Sequence, residues 1–164
     1  MKKVLHIFLG FLFFSCGFYS FTGASISPEV KTYSVAFFEN KANTINSSLS
    51  STFTEKLKDY FSSQLNIQQI ETEGDLSFSG EIVNYEIKPI AISSNETARQ
   101  NRLTIKVKVS FMNIFDEKMN FDSNFVRYKD FPSDEDLSVV EDIYMQEICD
   151  ELVEDIFNQS VVNW

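Results

Sequence analysis

From Arg102 to Phe115 apolar and polar residues alternate without a break. Leu103, Ile105, Val107, Val109 and Phe111 fall on one side, and Thr104, Lys106, Lys108, Ser110 and Met112 on the other. A period of two predicts a strand with one face in a core and one in water, as in an antiparallel sheet covered on one side. Weaker alternations flank it. Tyr33, Val35 and Phe37 alternate within Lys31–Glu39, and Phe121 and Phe125 are in step within Asn120–Tyr128. In Asp75–Ile92 the apolar set is Leu76, Phe78 and Ile82, with Gly80 among them, and then passes to Val83, Tyr85 and Ile87. That change of phase predicts a β-bulge or twist near Ile82 and Val83. Pro89 predicts the end of ladder pairing or an edge. Ser93–Asn101 reads as a polar turn, Phe115–Lys118 as a tight hairpin turn and Asn66–Glu71 as a possible short strand.

Two segments change to a helical period. Leu49, Phe53, Leu57, Phe61 and Leu65 recur every fourth residue, with Ser47 or Ser48 as N-cap. Val140, Tyr144, Ile148, Leu152 and Ile156 make the second stripe, on a helix from Leu137 to about Asn158, with Ser133 as the expected cap. The order is β-α-(β)-β-β-β-α. Two helices with one apolar stripe each can cover the apolar face of one sheet, giving an α+β two-layer sandwich.

The first residues follow neither period. Lys2 and Lys3 precede Val4–Phe14, which is apolar but for His6 and Gly10. The run is shorter than the ~20 residues of a membrane-spanning helix and has the length of a signal-peptide core, ~7–15 residues. Ser15 and Cys16 follow it, and the stretch resembles a bacterial lipobox, in which the cysteine becomes the acylated N-terminus. Phe13 stands where lipoproteins usually carry leucine, and a plain secretory signal followed by a chance cysteine is the alternative. More than one acyl chain gives stable anchoring. Gly17, in place of the aspartate that resembles an inner-membrane retention signal, favours the outer membrane, facing the periplasm. The expected organisation is a signal peptide over 1–15, an acylated cysteine and short tether over 16–30, and one domain over 31–164.

Composition then excludes more than it proposes. The net charge is −10, which argues against nucleic acid as a partner, because phosphate backbones are held by clustered Lys and Arg. The single histidine is His6. Once the signal is removed no histidine remains for Ser-His-Asp or Cys-His catalysis or for a metal site. Of the two cysteines, Cys149 lies in an apolar helical pattern and reads as a small core residue. With Cys16 otherwise used, no disulfide is expected. Asp134, Glu135 and Asp136 lack the spacing of a calcium loop, and the acids of the last helix read as a solvated face rather than paired catalytic carboxylates. No nucleophile elbow, phosphate loop or dinucleotide fingerprint is present. No cofactor, metal or catalytic residue is expected. The polar set that stands out is basic: Lys106 and Lys108 on the wet face of the best strand, with Arg99 and Arg102 leading into it. Cations concentrated there in an acidic chain suit an anionic ligand. A solvated strand face, or lysines that guard a sheet edge, is the plainer reading.

Taken together, CGFYSFTGAS, LSSTFTEKLKDYF, GDLSFSGEI, NRLTIKVKVSF and LVEDIFNQSVVNW resemble, in order, the LptE family of lipopolysaccharide-assembly lipoproteins. The resemblance covers most of residues 16–164 and contains no catalytic signature. It implies two helices on one face of a mostly antiparallel, mixed four-stranded sheet. It also implies a non-enzymatic plug inside an outer-membrane β-barrel, LptD, that the lipoprotein helps to assemble. The implied partners are that barrel, lipopolysaccharide bound through basic residues, and the membrane through the N-terminal acyl chains. Lys106, Lys108, Arg99 and Arg102 are assigned to the lipid from local charge alone. A second reading is an outer-membrane lipoprotein that regulates a periplasmic peptidoglycan synthase. It is disfavoured because a tether of about 15 residues reaches only ~20 Å. A periplasmic hydrolase is disfavoured by the absence of histidine and of a nucleophile motif.

Overall fold

The computed structural model describes residues 26–44, 46–90 and 99–162. The readings at the signal peptide, at Cys16 and over most of the polar turn Ser93–Asn101 lie outside the described residues. The strands are β1 (Thr32–Val35), β2 (Glu39–Asn40), β3 (Gln68–Ile70), β4 (Leu76–Ile90), β5 (Gln100–Asn113) and β6 (Phe121–Pro132). The helices are α1 (Leu49–Gln64) and α2 (Leu137–Val161). The sheet runs β3-β1-β4-β5-β6, and β2 also pairs with β4. Pairings of β1 with β3 and β4, and of β2 with β4, are parallel, whereas β4-β5-β6 is antiparallel.

The two-layer α+β sandwich is as the periodicities predict, but the mixed sheet has six strands rather than four. The additional strands are short, and one arises from a break in phase. Phe37, placed by alternation on the core face, is 59% exposed, and Phe38 is fully buried in its stead. Between β1 and β2 the chain leaves the ladder. The Ala36 N–H donates to the Phe78 carbonyl and the Phe38 N–H to Thr54 Oγ1 of α1. The Phe38 ring thereby turns inward against Phe53, with centroids 5.1 Å apart.

β4 and β5 form the spine. Their register shifts between Ile82 and Asn84, where the change of phase predicts a bulge. Pro89 lies within β4, opposite Asn101. Among the described residues no strand pairs with the outer flank of β4 beyond Ile82, so the proline costs no ladder bond on that side.

The core lies between the sheet and the helices. Leu103, Ile105, Val107 and Val109 are fully buried, as are Leu49, Phe53, Leu57 and Phe61 of α1 and Leu152, Val153 and Ile156 of α2. Phe61 joins the layers, its ring packed on Phe78 of β4 and Phe157 of α2. The apolar face of α2 is wider than one stripe: Met145, Cys149 and Val153 are also buried, and Val140 and Tyr144 only half-buried. The N-cap of α2 is Asp136, not Ser133: its side chain accepts from the Ser138 N–H. Ser48 begins α1 without a side-chain cap, and Asn46 Oδ1 accepts from the Ser48 N–H and hydroxyl instead. The β5–β6 turn is longer than the four residues expected and contains a single 3-10 turn, Glu117–Met119, capped by Asp116.

One carboxylate ties the start of the domain to the sheet. Asp75 Oδ2 accepts from the backbone N–H groups of Lys31 (2.7 Å) and Thr32 (2.9 Å), while the Asp75 N–H donates to Thr32 Oγ1 (3.0 Å). The Lys31 bond, foremost, holds the Asp75 carboxyl below its ordinary range. A depressed carboxylate stabilises the fold above its unfolded pKa, ~3.9, and the contribution is lost as pH falls through the folded value. Asp75→Asn is therefore expected to lower stability at pH 7 and to flatten its decline between about pH 5 and pH 2. Urea unfolding across that range measures it, and parallel wild-type and variant curves would contradict the assignment.

Candidate functional site

One face of the sheet carries the helices and the other is open. The open face of β5 is Arg102, Thr104, Lys106, Lys108, Ser110 and Met112, as the alternation predicts. Register places Lys108 between Glu81 of β4 and Asn124 of β6, and Lys106 between Asn84 and Val126. Lys106 is half-buried and Lys108 exposed. Neither is in an ion pair among the described residues.

The four cations do not form one cluster. At ~3.3 Å per residue Lys106 and Lys108 stand about 7 Å apart, Arg102 about 13 Å from Lys106, and Arg99 further out along the same line. Arg102 is already engaged. Its Nε and Nη2 donate to Asp130 Oδ1 (2.6 Å) and Oδ2 (2.8 Å), a bidentate pair, and its guanidinium lies 3.7 Å from the centre of the Tyr128 ring. The pair, through its hydrogen bonds first, raises the Arg102 pKa and lowers that of Asp130. Arg99 is exposed, just before β5, and its carbonyl accepts from the Ser133 N–H. Free positive charge on the open face is thus centred on Lys106 and Lys108.

The remaining β6 cations are turned towards α2. Arg127 binds Asp155 through Nε and Nη2, both at 2.6 Å, and Lys129 Nζ lies 2.5 Å from Glu147. Part of the acidic face of α2 therefore faces strand cations rather than water alone. These pairs are solvent-exposed, worth ~0–1 kcal/mol each, and their clearer effect is to close the seam between β6 and α2.

The sequence reading missed the apolar side of the open face. Val126 (48%), Tyr128 (51%) and Met112 (55%) are exposed there, beside the lysines. The signal was present, since Val126 and Tyr128 have the opposite parity to Phe125. Anionic and apolar ligand groups can thus be met on one surface. Among the described residues no cluster of ligating side chains could hold a metal. Cys149 is fully buried, and burial pushes its thiol up to about 12, the opposite of an activated nucleophile. A second polar group is buried near the α2 N-terminal half: the Tyr85 hydroxyl donates to Glu141 Oε1, which also accepts from Asn46 Nδ2 at 3.1 Å. Desolvation, foremost, raises the Tyr85 pKa. The cluster joins β4, the loop before α1, and α2.

No helix among the described residues is long and apolar enough to cross a membrane. The fold is shared with solved structures at low identity, two of them lipoproteins. A minor lipoprotein from Acinetobacter baumannii is 14% identical, with a TM-score of 0.51 over 79% of this chain and 91% of that one. Rare lipoprotein B from Shewanella oneidensis is 12% identical, with a TM-score of 0.52 over 78% and 92%. The hypothetical protein CT253 from Chlamydia trachomatis is 10% identical, with a TM-score of 0.52 over 82% and 99%. No curated protein matches the sequence. The family model for LptE, lipopolysaccharide-assembly, matches residues 30–160. That span runs from just before β1 almost to the end of α2, and the chain belongs to the LptE family of lipopolysaccharide-assembly lipoproteins.

Proposed function

We infer that this protein is a non-enzymatic outer-membrane lipoprotein, anchored through acylated Cys16 on the periplasmic side. It fills the lumen of an LptD-type β-barrel and helps that barrel to assemble and to pass lipopolysaccharide to the outer leaflet. The observation that carries the reading is the family match over residues 30–160. A body with an acidic surface suits the polar interior of a wide barrel. Affinity purification of the tagged, membrane-extracted protein tests it. A stoichiometric large β-barrel protein is the expected companion; recovery of peptidoglycan synthases alone would overturn the reading.

Within this function Lys106 and Lys108 are the residues proposed to meet lipid phosphates, with Arg102 and Arg99 as outlying members. A charge-assisted hydrogen bond is worth ~1.5–3 kcal/mol, so Lys106→Glu with Lys108→Glu is expected to weaken binding of purified lipopolysaccharide roughly tenfold or more. Lys118→Glu, the same change of charge in the β5–β6 turn, is expected to leave it within about twofold. Titration by surface plasmon resonance measures both. Equal affinities for wild type and the double variant would remove the lysine pair from the site.

A further inference from the structure

The turn between β5 and β6 holds large apolar side chains in water. Ile114 is 61% exposed and Phe115 45%, and Met112, just before them, 55%. The turn is not loose. Buried Asn113 donates its N–H to Asn120 Oδ1 (2.6 Å), and its own Oδ1 accepts from the N–H groups of Phe115 (2.9 Å) and Asp116 (3.2 Å). The Ile114 N–H donates to the Asp75 carbonyl (3.1 Å), and Asp116 Oδ1 accepts from the Lys118 N–H (3.1 Å). A turn so braced presents its apolar residues in a fixed direction, and polar residues there would satisfy the same backbone. Contiguous exposed apolar side chains mark a surface that is covered in use.

The first described residues say what covers it. Ile26, Ser27 and Pro28 line one cavity together with Asn113, Asp116 and Met119. The described chain thus begins beside this turn. Cys16 is ten positions earlier (26 − 16). Ten residues reach at most ~35 Å when extended and average ~17 Å as a flexible coil. Acyl chains on Cys16 would thus hold the turn within ~35 Å of a bilayer surface, and on average at about half that distance. We propose that Ile114 and Phe115, with Met112 at their edge, insert into the lipid headgroup region and fix the tilt of the domain on its anchor. The proposal rests on acylation of Cys16. Away from the turn and the open sheet face, Val139 and Ile143 are also exposed, in the first half of α2. About 33 Å of helix separates Val139 from Val161, at the end where the described chain begins, so that pair is an internal control.

The test uses the full-length acylated protein with Trp164→Phe, carrying either Phe115→Trp or Val139→Trp, so that each variant holds one indole. It is reconstituted in vesicles of phosphatidylethanolamine and phosphatidylglycerol containing brominated acyl chains. Both sites are exposed, and circular dichroism confirms the fold of each variant. The indole at position 115 is expected to emit at shorter wavelength than in buffer and to be quenched several-fold more than the indole at position 139. Protein that floats with the vesicles while the two indoles are quenched equally overturns the insertion and leaves the anchor standing. Protein that does not float overturns the anchor and the insertion with it. In cells, a photo-crosslinking residue at position 115 that joins a β-barrel protein instead of lipid overturns lipid as the occupant.

Discussion

Phe61→Ala is expected to lower the free energy of unfolding by about 3–5 kcal/mol, the cost of emptying a buried aromatic site. Phe61 has no exposed surface. Its ring centroid lies 4.5 Å from that of Phe78, 5.1 Å from Phe157 and 6.1 Å from Tyr33. Through it α1 touches the sheet and α2 at once, and the hole left would be lined by three further rings. Aromatic pairs contribute ~0.5–1.5 kcal/mol beyond area alone, and two edge-on pairs are lost together. Against a typical total of ~5–15 kcal/mol such a loss is a large fraction of the stability. Phe37→Ala removes the same ring from a site that is 59% exposed and is expected to cost ~0.5 kcal/mol or less. Urea denaturation of both variants decides the matter, and similar midpoints for the two would contradict the core described above.

Gly80→Ala is expected to cost about 3 kcal/mol or more although it adds one methyl group. A Cβ at position 80 would lie 2.0 Å from the Lys108 carbonyl oxygen and 2.6 Å from Phe38 Cε1. The Phe38 ring could tilt away. The carbonyl is backbone of β5, fixed in a ladder with strands on both sides, so β4 and β5 must separate. Gly→Ala elsewhere gains ~0.4–1 kcal/mol by restricting the unfolded chain, too little to offset the clash. At ~2–4 °C per kcal/mol for a chain of this size the melting temperature should fall by roughly 6–12 °C. A fall of less than about 2 °C would show that the ladder yields more easily than its pairing implies. Because the displaced carbonyl belongs to Lys108, the variant should also disturb the spacing of the lysine pair, and weakened lipopolysaccharide binding would accompany the loss of stability.

The same glycine shows where reading the sequence stops. Alternation puts position 80 on the core face, and it is there, but nothing in the sequence says that a ring from the link between β1 and β2 fills its place. That ring is Phe38, and alternation had assigned the role to Phe37. Period-two patterns carry no mark where the chain leaves its ladder for three residues, and the bond from Phe38 to Thr54 that sets the new phase joins distant parts of the chain. Long runs were legible because many residues vote: all five predicted core positions of β5 are buried, and the break in β4 lies where its phase changes. The candidate site was legible to the same depth. Lys106 and Lys108 share the open face because parity puts them there. Pairing of Arg102 with Asp130 was not readable, since it depends on the register of β5 against β6. Helix caps failed for a related reason. Ser133 and Asp136 are both good caps in isolation, and packing decides which one α2 uses.

The bulge in β4 also divides the domain mechanically. Up to Ile82 the strand has neighbours on both flanks; from Asn84 onwards β5 is its one strand partner among the described residues, and the Tyr85 cluster ties it to the loop before α1 and the first half of α2. Amides in the far part of the β4–β5 hairpin can therefore exchange through partial openings that leave the other end intact, and protection should rise from Lys88 towards Leu76. Among the described residues β4 is braced on both flanks at its Leu76 end and on one flank at the far tip. A body built in this way can adjust its leading end to rigid surroundings while the Phe61 core stays closed.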